Sequence, residues 1–154
     1  MISLLQINTA INNMIQNALI DTEFSNVPIV AEDVTEPIER PSIKIQLDNN
    51  RTGKFNSCNK ERTLTVRVYF FAKDRNKYKL DNLEMQDIIE NAFLEEVKVT
   101  DTFYIPITED GVDCIVTDSV LQCSFDLYSI EEIVDPEVYE PMEELNLEFE
   151  GEWS

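Results

Sequence analysis

The sequence of 154 residues contains no histidine and only three glycines and three cysteines. Without an imidazole, neither a Ser-His or Cys-His nucleophile nor a His-ligated metal can form. Cys58, Cys114 and Cys123 lack a metal-binding spacing and are interpreted as reduced thiols of a cytoplasmic protein. Glycine and proline are also too scarce for a low-complexity chain. These absences exclude most enzyme templates, so we expect a folded protein without catalytic residues or cofactors.

Long hydrophobic runs are missing as well. No stretch holds the roughly 18 uninterrupted apolar residues of a membrane span. The apolar stretch at residues 1–20 contains no basic residue and is interrupted by several amide side chains, unlike a signal peptide. We therefore expect no membrane partner.

Positive charge is scarce and unevenly distributed. The chain carries 31 acidic and 12 basic residues, a net charge of −19, which repels phosphate backbones and anionic lipids. Residues 40–79 nevertheless hold eleven of the twelve bases against three acids, whereas residues 131–154 hold ten acids and no base. A basic segment is thus embedded in a very acidic protein that ends in an acidic arm.

Apolar periodicity predicts two helices. Ser3 and Gln6 have the spacing of a capping box, and the apolar residues behind them predict a helix to about Leu19. A second helix is predicted from Lys79 to about Leu94, with a broader apolar stripe than the first.

Alternation with period two predicts strands at residues 42–48 and 62–71. A three-stranded meander is expected at residues 103–107, 112–117 and 120–129. Its last turn would be Asp118-Ser119, which places Cys114 opposite Cys123. The elements predict an α+β fold with a mixed or antiparallel sheet.

The residues between the first two long strands, 48–60, are predicted to form a long polar loop. Loops of this length commonly bind a partner or order only on binding. The segment begins like a calcium loop, but its twelfth position is Asn59 instead of a carboxylate, so we expect no metal site. The aromatic residues in the basic segment could form a stacking platform for single-stranded nucleic acid, but strands with one core face and one charged face explain them without a ligand.

The chain divides into a domain at residues 1–130 and an acidic C-terminal arm at residues 131–154. Apolar side chains within the arm favour a binding arm over a purely solvating tail, because they gain nothing unless they dock. The candidate interface residues of the basic segment and the arm are Arg51, Lys54, Phe55, Lys60, Leu147, Phe149 and Trp153.

The order of these elements resembles the tail terminator, or tail completion, proteins of tailed phages and of phage-derived contractile particles. The similarity covers about residues 1–130 and rests on a profile of segments. These are Ile7-Asn8-Thr9-Ala10-Ile11, Pro41-Ser42-Ile43-Lys44-Ile45, Val66-Arg67-Val68-Tyr69-Phe70-Phe71, the helix from Leu83 to Phe93, Asp110-Gly111 and Phe125-Asp126-Leu127-Tyr128.

The resemblance implies a small subunit whose two helices pack on one face of the sheet, and which assembles into a hexameric ring. The ring would cap the tail tube and join it to the neck or collar, with tube, sheath and collar proteins as partners and without catalysis. DNA would pass through it without specific binding. The implied location is a virion or tail particle of a phage, a prophage or a bacteriocin-like device, assembled in the bacterial host cytoplasm. The acidic arm departs from the family pattern.

An alternative from another class is an acidic inhibitor or DNA mimic that occupies a basic nucleic-acid-binding partner. That alternative leaves the basic segment 40–79 unexplained. A six-fold ring uses both charged segments, because head-to-tail assembly requires two different complementary surfaces on each subunit. We therefore rank the ring first.

Overall fold

The computed structural model describes residues 2–30 and 39–133. This part contains helices α1 (Leu4–Leu19) and α2 (Lys79–Ala92). Its strands are β1 (Ile29–Val30), β2 (Ser42–Lys54), β3 (Asn59–Phe71), β4 (Glu96–Lys98), β5 (Tyr104–Pro106), β6 (Asp113–Thr117) and β7 (Val120–Glu132). The predicted α+β class is confirmed. Of the predicted arm, residues 134–154 lie outside the described residues.

The capping box at the start of α1 is confirmed. The Ser3 hydroxyl accepts a hydrogen bond from the Gln6 backbone N–H at 3.1 Å, and the Ser3 N–H donates to Gln6 Oε1 at 2.9 Å. These bonds satisfy two backbone donors that a helix start otherwise leaves free. The helix then buries Ile7, Ala10, Ile11, Ile15 and Leu19, whereas Leu4, the first residue of the predicted apolar stripe, is 39% exposed.

Five strands form the main sheet in the order β1-β2-β3-β7-β6. β1 pairs with β2 in parallel, and the other pairs are antiparallel, so the sheet is mixed. β2, β3 and β7 each have 13 residues and form its long central part.

The predicted loop at residues 48–60 is wrong, because most of it is strand. A bulge between Asp48 and Arg51 shifts the register, after which β2 and β3 pair as far as Lys54 and Lys60. The turn is closed by the Phe55 N–H, which donates to the Asn59 carbonyl at 2.9 Å. Polar residues on both faces hide this part of the hairpin from a search for apolar alternation.

The meander is confirmed only in its second half. The Asp118-Ser119 turn joins β6 to β7, with φ of 52° and 69°, and Cys114 lies opposite Cys123. β5 pairs with β4 in a separate two-stranded sheet and not with β6. The sequence analysis missed β4, because three residues are too few to show a period.

The core lies between the two helices and one face of the main sheet, which we call the helix-side face. Phe24 packs edge-to-face on Phe70 at 5.6 Å, and Phe93 stacks on Phe125 at 4.5 Å between ring centroids. Cys123 is buried in the same cluster. The neighbouring Cys114 thiol, together with burial, raises the pKa of Cys123, which suits an unreactive core thiol.

Candidate subunit and tail interfaces

The long strands change character along their length. On the helix-side face of β3 and β7, the apolar residues end at Leu64 and Leu127. Beyond them the β2–β3 hairpin and the end of β7 continue as paired strands, and we call residues 51–62 and 128–132 the hairpin extension. The side chains that continue the helix-side alternation there are charged or polar, so the extension adds area to the sheet without adding to its apolar core.

Four of these side chains form a charged group, the Arg62 cluster, which consists of Lys60, Arg62, Ser129 and Glu131. Cross-strand register pairs Lys60 with Glu131 and Arg62 with Ser129. The Ser129 hydroxyl donates to Glu131 Oε2 at 2.7 Å. Arg62 Nε lies 3.7 Å and Lys60 Nζ 3.9 Å from the Glu131 carboxylate oxygens, so both cations share one anion.

The Arg62 cluster is incompletely satisfied. Arg62 and Glu131 are 7% and 2% exposed. Arg62 Nε and Nη1 and Glu131 Oε1 have no hydrogen-bond partner among the described residues. Removing a charged group from water is costly without good hydrogen bonds. The Arg62 cluster therefore needs further hydrogen-bond partners to offset the burial of its charges.

The structure brings part of the predicted interface together at the hairpin tip. Lys54 and Lys60 are cross-strand neighbours, and Phe55 follows them at the turn with 51% of its surface exposed. Arg51 is also exposed but pairs with Thr63, on the opposite face of the extension. Lys60 is half-buried in the Arg62 cluster. The predicted arm residues Leu147, Phe149 and Trp153 lie outside the described residues.

The other face of the sheet carries hydrogen-bonded polar side chains along its central strands. Arg67 Nε donates to the Asp48 carboxylate at 3.0 Å, and the Thr65 hydroxyl donates to Asp126 at 2.8 Å. Farther along, the Tyr128 hydroxyl donates to Glu61 at 2.6 Å, and this bond raises the pKa of Tyr128. The strands therefore have the predicted charged face, on which carboxylates accept hydrogen bonds from an arginine and from hydroxyl groups.

The aromatic residues of the basic segment do not form one shared stacking surface, although Tyr69 and Phe71 lie on the same face of β3 and line one cavity. Phe70 is fully enclosed in the core, and Phe71 is buried. Tyr69 is half-buried, with Lys44 Nζ 5.8 Å from its ring centroid. Phe55 is exposed, but it lies at the far tip of the hairpin. Strands with one core face and one polar face explain these residues.

Sequence reasoning missed an apolar surface formed by α2 and the edge strand β6. Leu80 and Leu83 on α2 are 71% and 54% exposed, and Val116 on β6 is 44% exposed. The neighbouring Ile115, 59% exposed, pairs with Gln122 and alternates to the opposite face of the sheet. Tyr78, Asn82, Leu83 and Val116 line one cavity there. The signal was the broad apolar stripe of α2, which holds more apolar residues than one buried face needs.

One group of three carboxylates has the spacing to surround a cation among the described residues. Glu23, Asp81 and Glu84 place their oxygens within 4.8 Å of one another. The hydrogen bond with Glu23, then desolvation and the nearby acids, raises the pKa of Glu84. Glu23 and Glu84 are exposed. The calcium-like segment at residues 48–59 is instead largely strand.

Comparison with known proteins identifies the family. None of the helices in the described ranges 2–30 and 39–133 is long and apolar enough to cross a membrane. A search of curated proteins finds no match to the chain. A family model described as "Phage tail terminator protein" matches residues 6–139 and thus confirms the resemblance. Because the match spans most of the chain, the protein belongs to the phage tail terminator family and is a structural component of the phage tail.

Proposed function

We propose that the protein forms a hexameric ring that caps the tail tube at its final length and joins it to the neck or collar. It acts by binding and not by catalysis. Family membership supports the role in the tail. The observation that carries the ring proposal is the presence of two chemically different surfaces at opposite ends of β7.

The first surface is the apolar one on α2 and β6. β6 pairs with residues 120–124 of β7 and forms one edge of the main sheet, with Val116 exposed beside α2 and Ile115 exposed on the opposite face of the same edge. An exposed apolar edge strand is a ready template for association. It suits an interface that excludes water.

The second surface is the hairpin extension, which pairs with the far end of β7. Its exposed Arg51 and Lys54 offer positive charge, and Phe55 offers an apolar contact. We propose that this tip receives the acidic arm of a neighbouring subunit or the tail tube. Leu147, Phe149 and Trp153 would supply the apolar contacts of the arm. Two unlike surfaces on each subunit are what a head-to-tail ring requires.

The remaining partners follow from this position in the particle. The ring would contact tube protein on one side and collar, neck or sheath proteins on the other. It would be assembled in the host cytoplasm as part of a virion, prophage particle or bacteriocin-like device, with a contractile or non-contractile tail. The excess negative charge would let DNA pass without specific binding, because like charges prevent the counterion release that drives such binding.

The deciding experiment is light scattering of the purified protein across concentration and salt, followed by a test of whether it caps purified tail tubes. We expect a species of about six 17.8 kDa chains, or a monomer that becomes hexameric on tube ends. A strict monomer that leaves tubes uncapped and binds a basic nucleic-acid-binding protein would instead support the acidic inhibitor.

A charge-reversal pair tests the hairpin tip. Arg51→Glu with Lys54→Glu should weaken assembly at least tenfold, since the two side chains are exposed and carry positive charge on the two faces of the hairpin extension. Lys60 is left intact because it is paired with Glu131. The matched control is Lys73→Glu with Arg75→Glu, which makes the same charge change in the exposed loop after β3. Equal assembly of both pairs would contradict the assignment.

A further inference from the structure

The Arg62 cluster lacks an anion. It contains two cations and one carboxylate, and the side chains of Arg62 and Glu131 are only 8% and 1% exposed. The 3.7 Å between Arg62 Nε and Glu131 is too long for a hydrogen bond. Nε and Nη1 of the guanidinium therefore remain without acceptors among the described residues. Nε and Nη1 lie on different edges of the guanidinium and cannot share one bidentate carboxylate, but each makes its strongest hydrogen bond to an anionic oxygen, so the missing acceptor is a carboxylate.

The described acids of the hairpin extension do not supply that group. Glu61 alternates to the opposite face of β3, where it accepts the Tyr128 hydroxyl. Glu132 is paired with Asn59 and also alternates away from Glu131. A carboxylate that reaches Arg62 on the helix-side face must come from another segment.

The acidic arm starts beside the cluster. The Ile133 N–H donates to the Cys58 carbonyl at 2.8 Å, so the chain follows β3 just past its start at Asn59. Arg62 lies four residues from Cys58 along β3, a distance of about 13 Å at roughly 3.3 Å per residue. Asp135-Pro136 is a turn-forming pair. A reversal at that pair would bring the next acids, Glu137 and Glu140, within reach of Arg62.

We propose that Arg62 is a carboxylate-binding site for the first part of the arm of the same chain, occupied by Glu137 or Glu140. Linkage to β7 gives these carboxylates a high effective concentration, which a separate partner lacks. The contact neutralises the buried cation and fixes the path along which residues 141–154 leave the domain. It stands independently of the ring.

The test is a double-mutant cycle on the full chain, read as the midpoint of thermal unfolding. Glu137→Gln with Glu140→Gln should lower the midpoint by about 3 °C or more when Arg62 is present. In the Arg62→Gln background the same pair should change it by less than about 1 °C. The matched control, Glu150→Gln with Glu152→Gln, removes the same charge from the end of the arm and should leave the midpoint equal or slightly higher in both backgrounds.

The sign of the effect separates contact from general repulsion. In a chain of net charge −19, neutralising two acids that make no contact relieves repulsion and leaves the midpoint equal or higher. An unchanged or raised midpoint, or an equal loss in both backgrounds, would therefore overturn the proposal. If Arg62→Gln does not fold, the arm pair and its control still decide the outcome, because these substitutions leave Arg62 and Glu131 unchanged.

Protein concentration identifies the chain that supplies the carboxylate. A contact within one chain gives the same midpoint loss at tenfold different concentrations. A loss that grows with concentration would overturn the same-chain assignment in favour of the arm of a neighbouring copy.

Discussion

In both halves of the long strands every second side chain lies on the helix-side face, but these side chains are apolar in the inner half and charged or polar in the outer half. In the inner half of β3, every second residue from Leu64 to Phe70 is enclosed in the apolar core. In the outer half, Arg62 and Lys60 continue that row, and Ser129 and Glu131 do the same on β7. Strand pairing therefore extends farther than the apolar core, and the surplus length is available for contacts with other chains.

The largest expected effect separates the two halves directly. Phe70→Ala in the inner half should lower the free energy of unfolding by about 3–5 kcal/mol, because it leaves a cavity against Phe24. Thr63→Ala in the outer half, at an exposed position, should change it by less than about 0.5 kcal/mol. Chemical denaturation measures both. Similar losses would mean that the extension is as tightly packed as the core.

The next effect tests whether the outer half is held by charge. Glu131→Gln should lower the free energy of unfolding by about 3 kcal/mol, because it leaves Lys60 and Arg62 without their shared anion. Lys98→Gln removes an exposed partner of Asp101 and should cost less than about 0.5 kcal/mol. If both substitutions cost the same, the Arg62 cluster is solvated and not buried.

The inner half of the long strands and the helices that cover it were predicted well from the sequence, because the signals that specify them are local. The capping box of Ser3 and Gln6 marks the start of α1 within four residues, and the two-residue turn at Asp118-Ser119 fixes the register of β6 and β7. Apolar alternation identified the part of β3 that lies over the core. Each signal depends on residues close together in the chain, where spacing translates directly into geometry.

The outer half could not be predicted for a physical reason. Without an apolar face, the end of β2 has no period that separates strand from loop, and a bulge after Asp48 breaks the alternation. The pairing of Lys60 with Glu131 joins residues 71 positions apart, which charge patterns alone do not specify. Exposure of Leu80 and Leu83 likewise depends on how α2 packs, so only the breadth of its stripe could have indicated that surface.

A smaller effect on the free energy of unfolding is expected from replacing glycine with alanine at two sites, Gly53 in the hairpin extension and Gly111 in the turn before β6. Gly53 in the extension has no positive φ, and an added Cβ meets nothing within 4 Å, so Gly53→Ala should raise the free energy of unfolding by about 0.5 kcal/mol. Gly111 has φ of +71°, so Gly111→Ala should lower it by about 1 kcal/mol. Effects of equal sign would contradict the assigned backbone. Chemical denaturation again gives the comparison.

The smallest expected effect is a change in stability of opposite sign for the same substitution, Glu→Gln, in the Arg62 cluster and on α2. Glu131 lies among cations, whereas Glu84 on α2 lies beside Glu23 and Asp81, and its hydrogen bond with Glu23 is the first cause of its raised pKa. The folded state thus binds this proton more readily than the unfolded chain. The associated stability is present below the ordinary carboxyl pKa and is lost as pH rises through the raised value.

Glu84→Gln should therefore make the protein slightly more stable than wild type at pH 7 and remove part of the decline in stability just above the ordinary carboxyl range. Thermal midpoints measured between pH 4 and pH 7 test this, with Glu95→Gln, an exposed acid beyond α2, as the control for net charge. A gain that is equal for both variants would assign the effect to the overall charge of −19. A gain confined to Glu84→Gln would show that the same side chain stabilises one region and weakens the other according to the charges beside it.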